Sequence, residues 1–276
     1  MPILTLTTDF GLKDHFAGAV KGAIYSEMAD AKIVDISHNV SPFHITEAAY
    51  IIQNAYKNFP PGTIHIIGID SEQNPENKHI AVKLEGQYFI CANNGIMSMI
   101  TKTINPEEVV EINIHDRIKT NFTELDVFVQ VACHIARGGT LGVIGKPIKE
   151  IKEITGIMPV INSDQKGIIG NVIYVDNYGN VITNITKRLF EDVGKGRKFT
   201  IQARRAMFKK IHQHYSDAIN FEIEKSKREE DGKKIALFNS SGYLELAIYK
   251  SNPSTVGSAS TLFGLDYRDA VSITFE

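Results

Sequence analysis

Residues 3–36, ILTLTTDFGLKDHFAGAVKGAIYSEMADAKIVDI, predict a strand, a helix and a second strand in succession. The run Ile3–Thr8 is apolar and β-branched, as a buried strand is. Phe16, Val20 and Ile24 then recur at the spacing of one helix face, and a short apolar run closes the segment. Strands that alternate with helices are typical of a parallel sheet covered by helices.

The same alternation continues to about residue 150. It predicts helices over Ile45–Tyr56 and Asp126–Ala136 and strands over Thr63–Ile69, Ile80–Leu84 and Tyr88–Ala92. The last two strands are joined at Glu85-Gly86, a dipeptide suited to a tight hairpin. We therefore expect an N-terminal α/β domain with a mostly parallel sheet over residues 1–150.

After Gly145 the pattern changes to strands with little helix between them. The predicted strands are Ile168–Val175, Val181–Ile185, Phe199–Gln202, Ile235–Phe238 and Tyr243–Ile248. We expect a smaller β-rich domain over residues 165–276, joined to the first by a linker over residues 151–164.

The composition excludes several classes of protein. With 43% hydrophobic and 22% charged residues the chain is an ordinary folded protein, and its formal net charge of -2 gives no basic field for nucleic acid. No run of about 18 apolar residues predicts a membrane span, and no basic segment precedes a long apolar stretch at the start. Cys91 and Cys133 lie in apolar segments and are expected to be buried thiols, as in a cytoplasmic protein.

Two acidic residues follow predicted strands directly: Asp9 and Asp70. Ligands of an open parallel sheet collect beyond the carboxyl ends of its strands, so the two carboxylates predict a binding site there. The alternative is that each aspartate caps the helix or turn that follows it.

Other chemistry-bearing residues have simpler explanations. Asp9-Phe10-Gly11 also occurs in protein kinases, but no glycine-rich or catalytic loop precedes it here. His212 and His214 alternate as strand ligands would, yet no neighbouring ligand completes a metal set, so we expect surface histidines and no metal. His134 is expected to be a hydrogen-bonded core histidine.

The second domain contains two turn-rich segments, Asp176–Asn180 and Asn239–Tyr243. Their Asn, Asp and Gly residues suit β-turns, and the same polar side chains suit recognition of a polar ligand. The residues alone leave both explanations open.

Six segments in order resemble the S-adenosylmethionine (SAM) hydroxide adenosyltransferases, a family related to fluorinating and chlorinating enzymes. They are Thr8–Gly11, Val20–Gly22, Pro61–His65, Asn94–Gly95, Asp176–Asn184 and Asn239–Leu246. The resemblance implies an α/β domain followed by a β-barrel, in a homotrimer with the nucleoside site between one subunit's first domain and its neighbour's second. It implies attack of water on C5′ of SAM to give adenosine and methionine, with no metal or redox cofactor.

The resemblance also implies roles for individual residues. Asp9 would hold the two ribose hydroxyls, to which a carboxylate can make two charge-assisted hydrogen bonds. Asp176 and Ser240 would contact the amino and carboxylate groups of the methionine moiety. Tyr178 would stack on adenine, and Asn180 would hydrogen-bond its edge, because an amide both donates and accepts.

The sequence departs from the family where water is activated. The family uses an Asp, an Arg and a His, and this chain keeps the first as Asp70. Asn77 stands at the Arg position, next to Lys78, and Thr123 stands at the His position, next to Glu124.

Three functions remain open at this point. In the first, SAM is hydrolysed with Asp70 as base while Glu124 or Lys78 compensates for the missing residues. In the second, a halide is the nucleophile, although Asp70 and Glu124 would repel an anion. In the third, the chain binds SAM or adenosine without turnover.

Overall fold

A computed structural model describes residues 2–101, 104–115, 118, 122–230 and 232–276, with the backbone alone at residues 123 and 124. The chain divides into two compact units, residues 1–156 and 157–276, and each has a hydrophobic core of its own. Within the described residues, none of the helices has the length and apolar character needed to span a membrane.

The N-terminal unit alternates strands and helices as expected. Its strands are β1 (Ile3–Thr8), β2 (Lys32–Ser37), β3 (Ile64–Gly68), β4 (His79–Leu84), β5 (Gln87–Ala92), β6 (Glu108–Ile112) and β7 (Gly145–Pro147). Its helices are α1 (Phe16–Glu27), α2 (Ile45–Ala55), α3 (Ile96–Ile100), α4 (Thr123–Ala136) and α5 (Leu141–Ile144).

The sheet of this unit is mixed, and the prediction of a mostly parallel sheet was wrong. The strand order is β2-β1-β3-β5-β4-β6-β7; the first four strands are parallel, and the remaining pairings are antiparallel. The reversal begins at the predicted hairpin, where Glu85 and Gly86 have φ of 49° and 71°. Two consecutive positive φ values make the tight turn that returns a strand antiparallel to its neighbour.

Helices cover both faces of the sheet. On one face, Leu4 and Ile66 pack with Val20 of α1 and Phe128 of α4. On the other face, side chains of β3, β4 and β5 pack against α2 and α3. Both cysteines are buried free thiols, as predicted. His134 is hydrogen-bonded to the Thr140 carbonyl but is partly exposed, so its predicted core position was wrong.

The C-terminal unit is an antiparallel sheet that nearly closes into a barrel. Its strands are β8 (Val160–Ile161), β9 (Gly167–Val175), β10 (Val181–Thr186), β11 (Phe199–Ala203), β12 (Ala206–Phe208), β13 (Lys234–Phe238), β14 (Tyr243–Ile248) and β15 (Ala270–Phe275). The helices α6 (Lys187–Gly194) and α7 (Ala259–Phe263) accompany them. The order is β12-β11-β15-β9-β10-β14-β13, with β8 beside β9. The end strands approach each other: Lys234 Nζ lies 5.5 Å from the Phe208 ring centroid.

Candidate active site

Asp9 and Asp70 lie at one edge of the N-terminal sheet. Strands β1 and β3 are parallel neighbours with Thr8 opposite Gly68, so Asp9 comes one residue after this pair and Asp70 two residues after it. Strand β2 pairs with the other side of β1, which makes the β1/β3 boundary a point where the chain changes direction across the sheet. Ligands of α/β sheets bind at such a point.

The carboxylate of Asp9 is half-buried and oriented by the loop after β2. Its Oδ2 accepts a hydrogen bond of 2.8 Å from the backbone N–H of Phe43. Burial raises the pKa of Asp9; hydrogen bonds from the backbone N–H groups of Phe43 and of Asp9 itself oppose the rise, and the negative charge of Asp70 adds to it. The two carboxylates are therefore close enough to act on each other.

Side-chain amides hold the backbone at Asp70. This residue has a left-handed conformation, with φ of 45°, which aspartate tolerates better than most residues. Its carbonyl accepts hydrogen bonds from Asn77 Nδ2 at 2.9 Å and from Asn94 Nδ2 at 3.3 Å. Asn77 Nδ2 also lies 3.0 Å from the Glu72 carbonyl. Asn77, which is predicted to stand at the family's Arg position, thus shapes the turn that presents Asp70.

Lys78 and Glu124 are the predicted replacements for the family's cation and histidine, and of these two side chains the structure describes that of Lys78. Lys78 is partly exposed, and its side chain makes no hydrogen bond or ion pair within the described part of the chain. The side chain of Glu124, like that of Thr123, lies outside what the structure describes.

A pair of histidines, buried His79 and partly exposed His115, supports the turn after Asp70 and was not predicted from the sequence. His79 Nε2 lies 2.7 Å from the Ser71 carbonyl, and its Nδ1 lies 2.9 Å from His115 Nε2. A carbonyl only accepts, so His79 carries its proton on Nε2 and accepts from His115. Burial lowers the pKa of His79 to about 4, the Ser71 hydrogen bond opposes this and His115 adds to it. A histidine at the start of an apolar strand was the available signal.

In the C-terminal unit, Asp176 organises the turn that carries Tyr178. Asp176 Oδ1 accepts from the backbone N–H groups of Tyr178 at 2.9 Å and Asn180 at 2.8 Å, and its Oδ2 accepts from Asn180 Nδ2 at 2.9 Å. Asn180 is buried. Both carboxylate oxygens of Asp176 therefore stabilise the β-turn, as one of the two explanations from the sequence predicted. Asn180 uses one side-chain N–H in the same way.

The two remaining predicted binding residues are exposed. The Tyr178 side chain is 65% exposed although its backbone is fixed by Ser251 Oγ, which donates to the Tyr178 carbonyl at 3.3 Å. Ser240 is exposed at the tip of the turn that Asn239 organises by accepting from the N–H groups of Ser241 and Tyr243. An exposed ring on a fixed turn is suited to stacking against a flat ligand.

Glu245, beside these turns, is a buried carboxylate that was not predicted from the sequence. It accepts a hydrogen bond of 2.5 Å from the Tyr215 hydroxyl. Burial raises the pKa of Glu245; the hydrogen bonds of Tyr215 and Asn239 oppose this, and the charge of Asp176 adds to it. The signal was a single acidic residue inside the apolar strand Tyr243–Ile248. In the described part of the chain, no three His, Cys, Asp or Glu side chains could together hold a metal ion.

Two family models match this chain over most of its length. The model of the SAM hydroxide adenosyltransferase N-terminal domain matches residues 4–145, and that of the C-terminal domain matches residues 170–272. The chain belongs to the SAM hydroxide adenosyltransferase family. Both strand-end aspartates fall within the N-terminal match, and the Tyr178 and Ser240 turns fall within the C-terminal match.

Individual relatives agree with this assignment. The chain is 32% identical to an (R)-S-adenosyl-L-methionine hydrolase of Methanocaldococcus jannaschii over 283 residues, covering 100% of this chain and 97% of the relative. It is 23% identical to a fluorinase of Actinopolyspora mzabensis, covering 89% and 90%. The crystal structure of an uncharacterised conserved protein of Thermotoga maritima has a TM-score of 0.82 at 26% identity, covering 99% and 100%.

Proposed function

We propose that the protein hydrolyses SAM at C5′ of its ribose and releases adenosine and methionine. The observation that carries this proposal is the pair Asp9 and Asp70 at the β1/β3 edge of a chain in this family. Hydrolase is the activity named for the relative that matches the whole chain, which supports hydrolysis over halogenation.

Asp9 takes the nucleoside end of the substrate. Its Oδ2 is fixed by the Phe43 N–H, and a carboxylate has further lone pairs for two sugar hydroxyls. Tyr178 provides an exposed ring for the adenine. Asn180 Nδ2 already donates one hydrogen bond to Asp176, so its second N–H and its Oδ1 bind the purine edge. Asp176 and Ser240 bind the amino and carboxylate groups of the methionine moiety. Asp176 contributes its negative charge and also holds the turn that carries Tyr178.

Asp70 is the base in this mechanism. The water oxygen attacks C5′ while its proton passes to the Asp70 carboxylate and then to solvent. The bond between C5′ and sulfur breaks, and its electron pair returns to sulfur as the neutral thioether of methionine. The sulfonium charge disappears in this step, so a preorganised, water-poor pocket favours the transition state.

The paired carboxylates argue against a halide as the nucleophile. Two negative charges at one sheet edge attract the sulfonium cation and repel a halide anion. Within the described residues, Lys78, the cation nearest in sequence to this turn, forms no hydrogen bond or ion pair that would direct it inward.

A second candidate is a protein that binds SAM or adenosine without turnover. The observation that favours it is that Asn77 commits its amide nitrogen to two backbone carbonyls at the position where the resemblance predicts the family's Arg. Such a residue shapes the Asp70 turn but supplies no positive charge to the reaction.

Incubation of the purified protein with SAM separates these candidates. Both sulfonium epimers are used, because the hydrolase relative is named for the (R) form. Hydrolysis predicts equal amounts of adenosine and methionine, independent of added chloride. Binding without turnover predicts no product but a raised melting temperature with SAM or adenosine. Formation of 5′-chloro-5′-deoxyadenosine and methionine in proportion to chloride would contradict both.

The remaining family properties are proposals as well. We propose a homotrimer that uses SAM as substrate without a metal or redox cofactor and is located in the cytoplasm. Light scattering after gel filtration measures the mass of the assembly, and hydrolysis in the presence of a strong chelator tests the independence from metal.

A further inference from the structure

A series of four polar side chains in contact leads from the protein surface to Thr8, the residue directly before Asp9. The Thr8 hydroxyl lies 2.7 Å from His38 Nδ1, and His38 Nε2 lies 3.1 Å from Asp35 Oδ1. Asp35 Oδ2 in turn lies 2.5 Å from Lys21 Nζ. Thr8 and His38 are buried, whereas Asp35 and Lys21 are partly exposed. These contacting side chains therefore connect the protein surface with the residue directly before Asp9.

The carboxylate of Asp35 determines how the His38 ring is protonated. An unprotonated Nε2 would direct its lone pair at a carboxylate oxygen, so the proton is favoured on Nε2. The contact is close but not well aligned, since His38 Nε2 has no partner in good hydrogen-bond geometry among the described residues. With the proton on Nε2, Nδ1 accepts and the Thr8 hydroxyl donates.

His38 also contacts the turn after Asp9 through its backbone. The His38 carbonyl accepts a hydrogen bond of 2.7 Å from the Gly11 N–H. The segment on either side of Asp9 is thus tied to one histidine, by the side chain at Thr8 and by the carbonyl at Gly11. The loop that His38 begins also contains Phe43, whose N–H binds the Asp9 carboxylate.

We propose that His38 is a positioning residue for the nucleoside end of the site. Its ring, oriented by Asp35, holds the Thr8 hydroxyl and thereby fixes the Asp9 carboxylate in the direction from which it receives two sugar hydroxyls. The inference rests on the proposed function where it assigns the sugar to Asp9. We call the contacts of His38 with Thr8 and Gly11 the His38 clamp, and they are present in the free protein.

Two substitutions separate the two sides of the His38 ring. Asparagine places an acceptor near the position of Nδ1 and keeps the contact to Thr8, whereas glutamine reaches the position of Nε2 and keeps the contact to Asp35. Thr8→Val removes the hydroxyl at nearly constant shape. Amide hydrogen exchange in the free protein is the first measurement, with the melting temperature as control for folding.

In His38→Gln and Thr8→Val we expect the Gly11 and Phe43 amides to exchange about fivefold faster, the factor for losing one buried hydrogen bond. In His38→Asn these amides should exchange as in the unmodified protein. Equal exchange in all variants, or acceleration spread over the whole N-terminal unit, would overturn the clamp. Thr8→Val keeps the test decisive if a His38 variant does not fold.

The second measurement compares the affinities for adenosine and 2′,3′-dideoxyadenosine. In His38→Gln the preference for adenosine should fall about fivefold while the affinity for the dideoxy compound stays unchanged. An unchanged preference would overturn the positioning role even if the amides exchange faster. If the unmodified protein binds neither nucleoside, the proposed function fails, whereas the exchange result still decides whether His38 holds the turn.

Discussion

At the residue scale, Asp9 and Asp70 differ in how their positions are maintained. The Asp9 side chain is held by a backbone N–H, that of Phe43. Asp70 is held through its own carbonyl, which two asparagine side chains clamp in a left-handed conformation. In the proposed mechanism this difference suits Asp9 as the binding carboxylate and Asp70 as the base, whose carboxylate must accept a proton.

Replacing the Asp9 carboxylate tests its binding role. Asp9→Asn should lower the affinity for adenosine at least tenfold, because a neutral amide loses charge-assisted hydrogen bonds of about 1.5–3 kcal/mol each. The affinity for 2′,3′-dideoxyadenosine should not change, since that ligand has no diol. Isothermal titration calorimetry measures both, and an equal loss for the two ligands would contradict the diol contact.

Gly179, in the Tyr178 turn, has a backbone conformation and surroundings that disfavour any side chain. Its φ is 73°, and an added Cβ would lie 2.2 Å from Ser258 Oγ. Gly179→Ala should therefore lower the free energy of unfolding by on the order of 3 kcal/mol in urea titrations. The control is Gly196→Ala, with φ of 76° and open space around it, which should cost about 1 kcal/mol. Equal losses would show that the contact with Ser258 is unimportant.

Candidate site residues that directly follow a strand could be predicted from the sequence. Residues whose hydrogen-bond partners are distant in the sequence could not. The position of Asp9 after an apolar strand was visible in the sequence. The contact between His38 and Thr8 spans 30 residues, and that between His79 and His115 spans 36. A histidine shows its role only when the fold supplies the partner, since its ring can donate, accept or carry charge.

At the scale of elements, strand positions were predictable because strands buried on both faces are continuous runs of apolar and β-branched residues. Strands β1 and β14 have the predicted bounds, Ile3–Thr8 and Tyr243–Ile248. The hairpin at Glu85-Gly86 was predicted as well, from its turn residues. The direction of the strands beyond β5 was not, because local sequence does not state which neighbour a strand will join.

Two strands carry buried histidines that should make stability depend on pH. Burial lowers the pKa of His65 on β3 and of His79 on β4 to about 4, from 6.5 when exposed. Between these values the unfolded chain binds more protons, so stability rises with pH and falls as pH drops from 6.5 to about 4. Each histidine contributes on the order of 3 kcal/mol to this loss.

Denaturant titrations across this pH window measure the effect. In parallel, ring signals of both histidines in NMR spectra should show no protonation down to about pH 5. A His65 or His79 ring that titrates near 6.5 in the folded protein would contradict its burial as a neutral group.

At the scale of the whole molecule, the two units carry different kinds of candidate site residue. The N-terminal unit has the two carboxylates at its sheet edge, and the C-terminal unit has an exposed tyrosine on a fixed turn beside a buried glutamate. The change from alternating strands and helices to strands with little helix, after Gly145, could be predicted from the sequence. The near-closure of the second sheet was not visible in the strand pattern, because it depends on the approach of β12 to β13.

The most direct test is hydrolysis of SAM in water enriched with oxygen-18, followed by mass spectrometry of the adenosine. The proposed mechanism predicts adenosine with one oxygen-18 in its 5′-hydroxyl, and a rate at least a hundredfold lower in Asp70→Asn, because general bases contribute about that factor or more. Adenosine without the label, or an undiminished rate in Asp70→Asn, would contradict water attack at C5′ with Asp70 as base.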